Sequence, residues 1–130
     1  MPAPDRFSRL EATRIVATPA ALDAARWPAG AVVLRIAPDE AIVTGAVAPA
    51  AIEDPHAIVA RETGFVGAWM EAAAAEALLE RACAWARPAE RPAFAQGLVA
   101  GLPVKLWLDV ARVLVVAPAA FAHDCEARLR

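Results

Sequence analysis

The sequence predicts an α+β protein in which two helices pack on an antiparallel sheet. Short runs rich in β-branched residues recur along the chain and are separated by turn residues. The segment Glu71–Ala86 has the 3.6-residue apolar period of a helix, and a second amphipathic segment follows Pro118. Strands on both sides of a central helix, without an internal repeat, are typical of a sheet covered by helices.

The first residues predict a flexible lead and then a short helix. The first dozen residues contain two prolines and show no sustained apolar period. We therefore expect a flexible N-terminal lead over residues 1–17 and a single α+β domain over residues 18–130. Thr18 followed by Pro19 is typical of a helix N-cap and of the first helical position. The sequence therefore predicts a helix that begins at this pair and ends near Arg26.

Seven strands are expected after this helix. In chain order they are predicted over Ala31–Ile36, Ala41–Val47, His56–Arg61, Phe65–Met70, Ala93–Val99, Leu102–Leu108 and Arg112–Ala117. The first two are expected to form a hairpin, and so are the next two, because a short turn joins the members of each pair. The strand over 112–117 is apolar on both faces, which predicts a central place in the sheet.

The central helix is the clearest element of the pattern. In Glu71–Ala86 a stripe of alanine, leucine and tryptophan lies opposite Glu76, Glu80 and Arg87. Its many alanines favour the helix and allow a close approach to a sheet. We interpret the two glutamates as residues of a solvated face rather than as a catalytic pair.

The composition excludes a membrane-spanning helix and argues against catalysis. Hydrophobic residues make up 59% of the chain, but 36 of them are alanine, and the longest uncharged stretch has 13 residues where a bilayer needs about 20. A net charge of −2 predicts no nucleic-acid surface. Asn and Tyr are absent, and Ser, Gln and Lys occur once each. We therefore expect a protein that is not an enzyme and that holds no cofactor and no metal.

The cysteines and histidines predict no reactive site. Cys83 and Cys125 lack a CxxC spacing, and the first ten residues lack the apolar stretch of a secretory signal, which favours reduced thiols in the cytoplasm. His123 stands two residues from Cys125, so the two should face opposite sides of the closing helix. Asp54 and His56 flank a proline, and we interpret them as part of a solvated loop rather than as metal ligands.

One strand carries the candidate interface. In Leu102–Leu108 the leucines and Val104 point one way, so Lys105, Trp107 and Asp109 point the other. A tryptophan beside the only lysine of the chain suits a protein interface, where tryptophan is enriched. Coverage of Trp107 by a loop or by the N-terminal segment of the same chain is the alternative explanation.

Five short motifs, taken in order, resemble the gamma subunit of heterotetrameric sarcosine oxidase. They are Val33–Val43 with Pro38, Asp39 and Glu40 in its turn, then Thr63-Gly64, Arg81-Ala82-Cys83, the stretch from Ala95-Gln96 through Pro103 to Trp107, and Arg112–Val116 followed by Phe121-Ala122. The resemblance covers roughly residues 31–129. The resemblance implies the fold of the folate-binding domain of the glycine-cleavage T-protein.

The resemblance also implies a function. A gamma-like chain would be a non-catalytic subunit in one-carbon or sarcosine metabolism, in a complex whose other subunits hold flavin, NAD and folate. Its partners would be larger flavoprotein subunits or further copies of itself, with no nucleic acid and no membrane. The T-protein's strand aspartate is not carried over, since Leu102–Leu108 holds only Lys105 as a polar residue. A stand-alone small-ligand or folate-like binding protein that has lost catalysis is the alternative.

Overall fold

The computed structural model describes residues 6–130, and its described part is an α+β structure with two antiparallel sheets. The strands are β1 Ser8–Arg9, β2 Ala12–Val16, β3 Val33–Ala37, β4 Glu40–Thr44, β5 Ile58–Glu62, β6 Phe65–Glu71, β7 Ala93–Val99, β8 Leu102–Leu108 and β9 Arg112–Pro118. The helices are α1 Pro19–Asp23, α2 Ala72–Ala82 and α3 Ala122–Arg128. Single 3₁₀ turns form at Pro49–Ala51 and Ala119–Phe121.

The chain divides into two compact units. Of the described residues, one unit comprises residues 6–10 together with Gly64–Arg130, and the other is Glu11–Thr63. The sequence pattern predicted one sheet, whereas each unit has a sheet of its own. The single domain over residues 18–130 stays a prediction, which a measurement of unfolding cooperativity tests.

The first unit is a five-stranded sheet with strand order β1-β6-β9-β8-β7 and with α2 and α3 on one face. Alternate residues of the strands form its core with Leu78 and Leu79 of α2 and with Cys125 and Leu129 of the last helical segment. The central position predicted for the strand over 112–117 is confirmed, because β9 pairs with β6 on one side and β8 on the other. The opposite face of this sheet is largely covered as well, since Phe65, Leu114 and Val116 on it are buried.

The central helix ends four residues before the predicted end. Cys83 already has an extended backbone, and the chain leaves the helix there. Trp85 consequently lies across the edge strand β7, where its indole Nε1–H donates to the Leu98 carbonyl at 2.8 Å. The apolar period continues to Trp85 because that side chain belongs to the core, although its backbone is not helical.

The second unit is a four-stranded sheet with strand order β3-β4-β2-β5. The predicted hairpin is confirmed as β3 and β4, and the predicted helix as the shorter α1, in which the Thr18 hydroxyl accepts from the Ala21 N–H at 3.2 Å. The expectation of a flexible lead over residues 1–17 is wrong for β1 and β2. Ile15 is completely buried, and β2 pairs on both of its sides. Residues 1–5 of that lead lie outside the described residues.

The predicted pairing of the strands on either side of residues 62–64 is wrong. Both strands form, but β5 pairs with β2 in one sheet, and β6 pairs with β1 and β9 in the other. The burial patterns explain the difference. Most of β6 is buried, so it requires a neighbour on each side, whereas β5 is largely exposed and is an edge strand.

Candidate interaction surface on the five-stranded sheet

The predicted alternation along β8 is confirmed. Leu102, Val104, Leu106 and Leu108 are buried in the core beneath the helices. Lys105, Trp107 and Asp109 lie on the opposite side and are half-buried. We call this side, which faces away from α2 and α3, the second face.

A row of apolar side chains crosses the second face from strand to strand. The register pairs Phe94 of β7 with Trp107 of β8, Trp107 with Leu114 of β9, and Leu114 with Trp69 of β6. Residues that pair directly across antiparallel strands place their side chains on the same side and in contact range. Trp107 is therefore the second member of a four-residue row of three aromatic rings and one leucine, and not an isolated outward tryptophan.

Trp69 is the exposed end of this row. Its side chain retains 40% of its accessible surface, and the Arg112 guanidinium carbon lies 3.7 Å from the centroid of its ring. A guanidinium stacked on an indole is attracted by the ring's negative face and is held in one orientation. The sequence carries a signal for this residue, since alternation along the predicted strand Phe65–Met70 places Trp69 on the outward side.

Lys105 is held against an aromatic ring of its own unit. Its Nζ lies 5.2 Å from the centroid of Phe65, on a neighbouring part of the second face. The side chain is half-buried rather than extended into solvent. Lys105 consequently contributes an ordered, partly apolar surface to the candidate interface.

Asp109 shapes the turn that joins β8 to β9. Its N–H donates to the Arg112 carbonyl at 3.1 Å, and its carboxylate Oδ1 accepts from the Val110 N–H at 2.8 Å. These bonds hold Val110 at the tip of the turn, where it is 76% exposed. Asp109, one of the three interface residues proposed from the sequence, therefore also fixes the conformation of the turn between β8 and β9.

The two glutamates of α2, Glu76 and Glu80, differ in their contacts. Glu80 is exposed as expected, but Glu76 accepts from Arg87 at 3.2 Å and from Arg91 at 3.4 Å. Burial lowers the pKa of the Arg87 guanidinium, yet its bonds to Cys83 and Glu76 raise that pKa more, so it stays above its ordinary value. Glu76 thus joins the helix to the loop that follows it, a role that the pattern of charges did not predict.

An open depression of about 410 Å³ lies beside the start of α2. Its walls include Glu76, Arg91, Asp109, Val110 and Val113. Glu76 and Arg91 bond to each other, and the Asp109 carboxylate accepts from the Val110 N–H, so these polar groups already have partners within the chain.

The second unit has an open groove of about 350 Å³ beside β2 and β5. Thr13 is the buried polar residue at its base, and its hydroxyl donates to the Gly45 carbonyl at 2.7 Å and accepts from the Val47 N–H at 3.2 Å. Because both bonds are internal, this hydroxyl fixes the adjoining loop and is not left for a ligand.

The histidines, Cys125 and Asp54 do not come together in a site. His123 is exposed and Cys125 is buried, as predicted, and burial raises the pKa of the Cys125 thiol. The Asp54 carboxylate accepts from the N–H groups of His56 at 2.9 Å and Thr18 at 3.0 Å, and these bonds hold its pKa below the usual range. Within residues 6–130 no group of three or more His, Cys, Asp or Glu side chains is arranged to hold a metal ion.

Comparison with known proteins identifies no family. No protein-family model matches the chain, and no curated protein matches it. Among residues 6–130, no helix has the length and apolar character needed to cross a membrane.

Proposed function

We propose that this chain is a non-catalytic subunit that binds other proteins through the exposed end of the second face, at Trp69 and Arg112. The single observation that carries the proposal is Trp69, a large aromatic side chain that is 40% exposed at the end of the apolar row. Tryptophan and arginine are the residues most enriched in the centres of protein interfaces, and here Arg112 is stacked on that ring.

The resemblance to the sarcosine oxidase gamma subunit supplies the identity of the partners. On this proposal the chain joins larger flavoprotein subunits in the cytoplasm, in one-carbon or sarcosine metabolism, and shares the T-protein folate-binding fold. Two features are compatible with it. The Pro38-Asp39 step forms the turn between β3 and β4, and the matched stretches at 95–107 and 112–116 lie on β7, β8 and β9.

Co-purification tests this proposal. The tagged chain is co-expressed with the reading frames that adjoin it in its genome, and the captured material is examined for flavin absorbance and for large subunits. We expect a flavoprotein to co-purify in a fixed ratio, and Trp69→Ala to reduce its capture about tenfold or more, as truncation of a central interface residue does. Ile58→Ala removes an exposed apolar side chain of the other unit, 60% accessible against 40% for Trp69, and serves as the control. Absence of any flavoprotein, or equal capture by Trp69→Ala, would contradict the proposal.

The depression beside α2 favours the alternative function, a small-ligand or folate-like binding protein. An open space of about 410 Å³ there is lined by Glu76, Arg91 and Asp109. Calorimetry of the isolated chain with a reduced folate measures this directly. Saturable heat that is lost in Arg91→Ala supports the alternative, and a flat titration removes it.

A further inference from the structure

One cation and one carboxylate stand side by side at the exposed end of the second face. Arg112 of β9 pairs in register with Glu71 of β6, so their side chains lie on the same side of the sheet as Trp69. Both are exposed. The end of the sheet thus presents one charge of each sign beside an exposed aromatic ring.

Within residues 6–130, the Glu71 and Arg112 side chains are not bonded in an ion pair. The ion pairs of that part of the chain join other side chains, and neither Glu71 nor Arg112 takes part in one. Stacking on Trp69 occupies one flat side of the Arg112 guanidinium and leaves its N–H edges for a carboxylate. The guanidinium is therefore held in advance in an orientation that suits an external acceptor.

We infer that this patch binds the same patch of a second copy of the chain. In a two-fold symmetric contact the same pair of residues occurs twice. Arg112 of one copy pairs with Glu71 of the other, and Glu71 of the first copy pairs with Arg112 of the second. The two Trp69 rings lie beside these ion pairs and lose exposed surface in the same contact. A partner of a single charge would satisfy one of these groups and repel the other, whereas a second copy satisfies both.

Charge exchange provides the test, and it uses the purified chain alone. Sedimentation velocity at concentrations from about 1 µM to about 1 mM measures the dimer fraction. We expect the native chain to dimerise as its concentration rises. Arg112→Glu and Glu71→Arg should each shift the midpoint to at least tenfold higher concentration, because each places like charges opposite each other in both pairs. Glu80→Arg, an equal change on the exposed side of α2, should leave the midpoint unchanged.

Mixing the two variants separates loss of the contact from loss of folding. The Arg112→Glu variant has glutamate at positions 71 and 112, and the Glu71→Arg variant has arginine at both. One copy of each variant can therefore form both ion pairs. The equimolar mixture of Arg112→Glu and Glu71→Arg should therefore dimerise when neither variant does so alone. A native chain that stays monomeric at about 1 mM, or a mixture that stays monomeric, would overturn the inference. Both contacts use Trp69, so on one copy they exclude each other. Dimerisation is measured on the purified chain alone, and flavoprotein capture is measured at concentrations below the dimer midpoint, so this inference and the proposed function can fail separately.

Discussion

Trp85 links the end of α2 to the edge strand β7, and its position depends on the residue beneath it. The indole lies over Gly97, and a Cβ at that glycine would stand 2.7 Å from Cε2 and Nε1 of the ring. The ring is rigid, and its Nε1–H is already bonded to the Leu98 carbonyl. The same bond covers part of the unpaired edge of β7, where open backbone groups invite pairing with another chain.

At the scale of single residues we expect Gly97→Ala to lower the free energy of unfolding by about 1–3 kcal/mol, since the added methyl forces the Trp85 ring out of its place. Urea denaturation measures this change. Gly67→Ala is the matched control, because a Cβ there meets its neighbours at 3.4–3.5 Å. In the double variant Gly97→Ala/Trp85→Ala the loss should be smaller than the sum of the single losses. Additive losses would show that the ring is not what excludes the methyl.

At the scale of elements, the sequence predicted the strands whose bounds are set by residues close to them in the chain. β7 and β8 were predicted at their observed bounds, because turn residues flank both and β8 alternates regularly. β2 was missed since its neighbours on both sides come from later in the chain. Arg14 in this strand bonds to Glu40 of β4 and Glu62 of β5, and these contacts appear only when the sheet is assembled.

The candidate surface also depends on contacts between distant strands, which a local sequence pattern does not predict. The outward direction of Trp107 follows from alternation within one strand, and the sequence predicted it. The row that joins Trp107 to Leu114 and Trp69 depends on the register of three strands, which no local pattern specifies. The stacking of Arg112 on Trp69 is likewise a diagonal contact between neighbouring strands.

The link between α2 and its following loop leads to a prediction at this scale. Glu76→Gln removes the charge that holds Arg87 and Arg91, so the loop over 84–91 should become more mobile. The Glu76 side chain is 41% exposed and solvent screens the pairs, hence we expect a loss of stability of only about 0.5–1 kcal/mol. Backbone ¹⁵N order parameters should fall across the loop in this variant and stay unchanged in Glu80→Gln. Equal order parameters in both variants would show that the pairs do not restrain the loop.

At the scale of the whole molecule, the chain order makes one unit discontinuous. β1 precedes Glu11 and pairs with β6, which follows Gly64, so the five-stranded sheet includes strands from both sides of the Glu11–Thr63 unit. Completing that sheet therefore requires the ends of the intervening segment to come together. This arrangement, in a chain of 130 residues, favours folding of the two units in a single cooperative step.

Ile15→Ala tests that cooperativity from the centre of the smaller sheet. Ile15 is completely buried on β2, so its truncation should cost about 2–5 kcal/mol. Hydrogen exchange measured by mass spectrometry at rising urea concentration follows peptides of both units. We expect both units to lose protection at one common midpoint, lowered together by Ile15→Ala and unchanged by Ile58→Ala at an exposed position. Earlier exposure of the Glu11–Thr63 unit alone would show instead that each sheet folds independently, and the single domain predicted from the sequence would then be two.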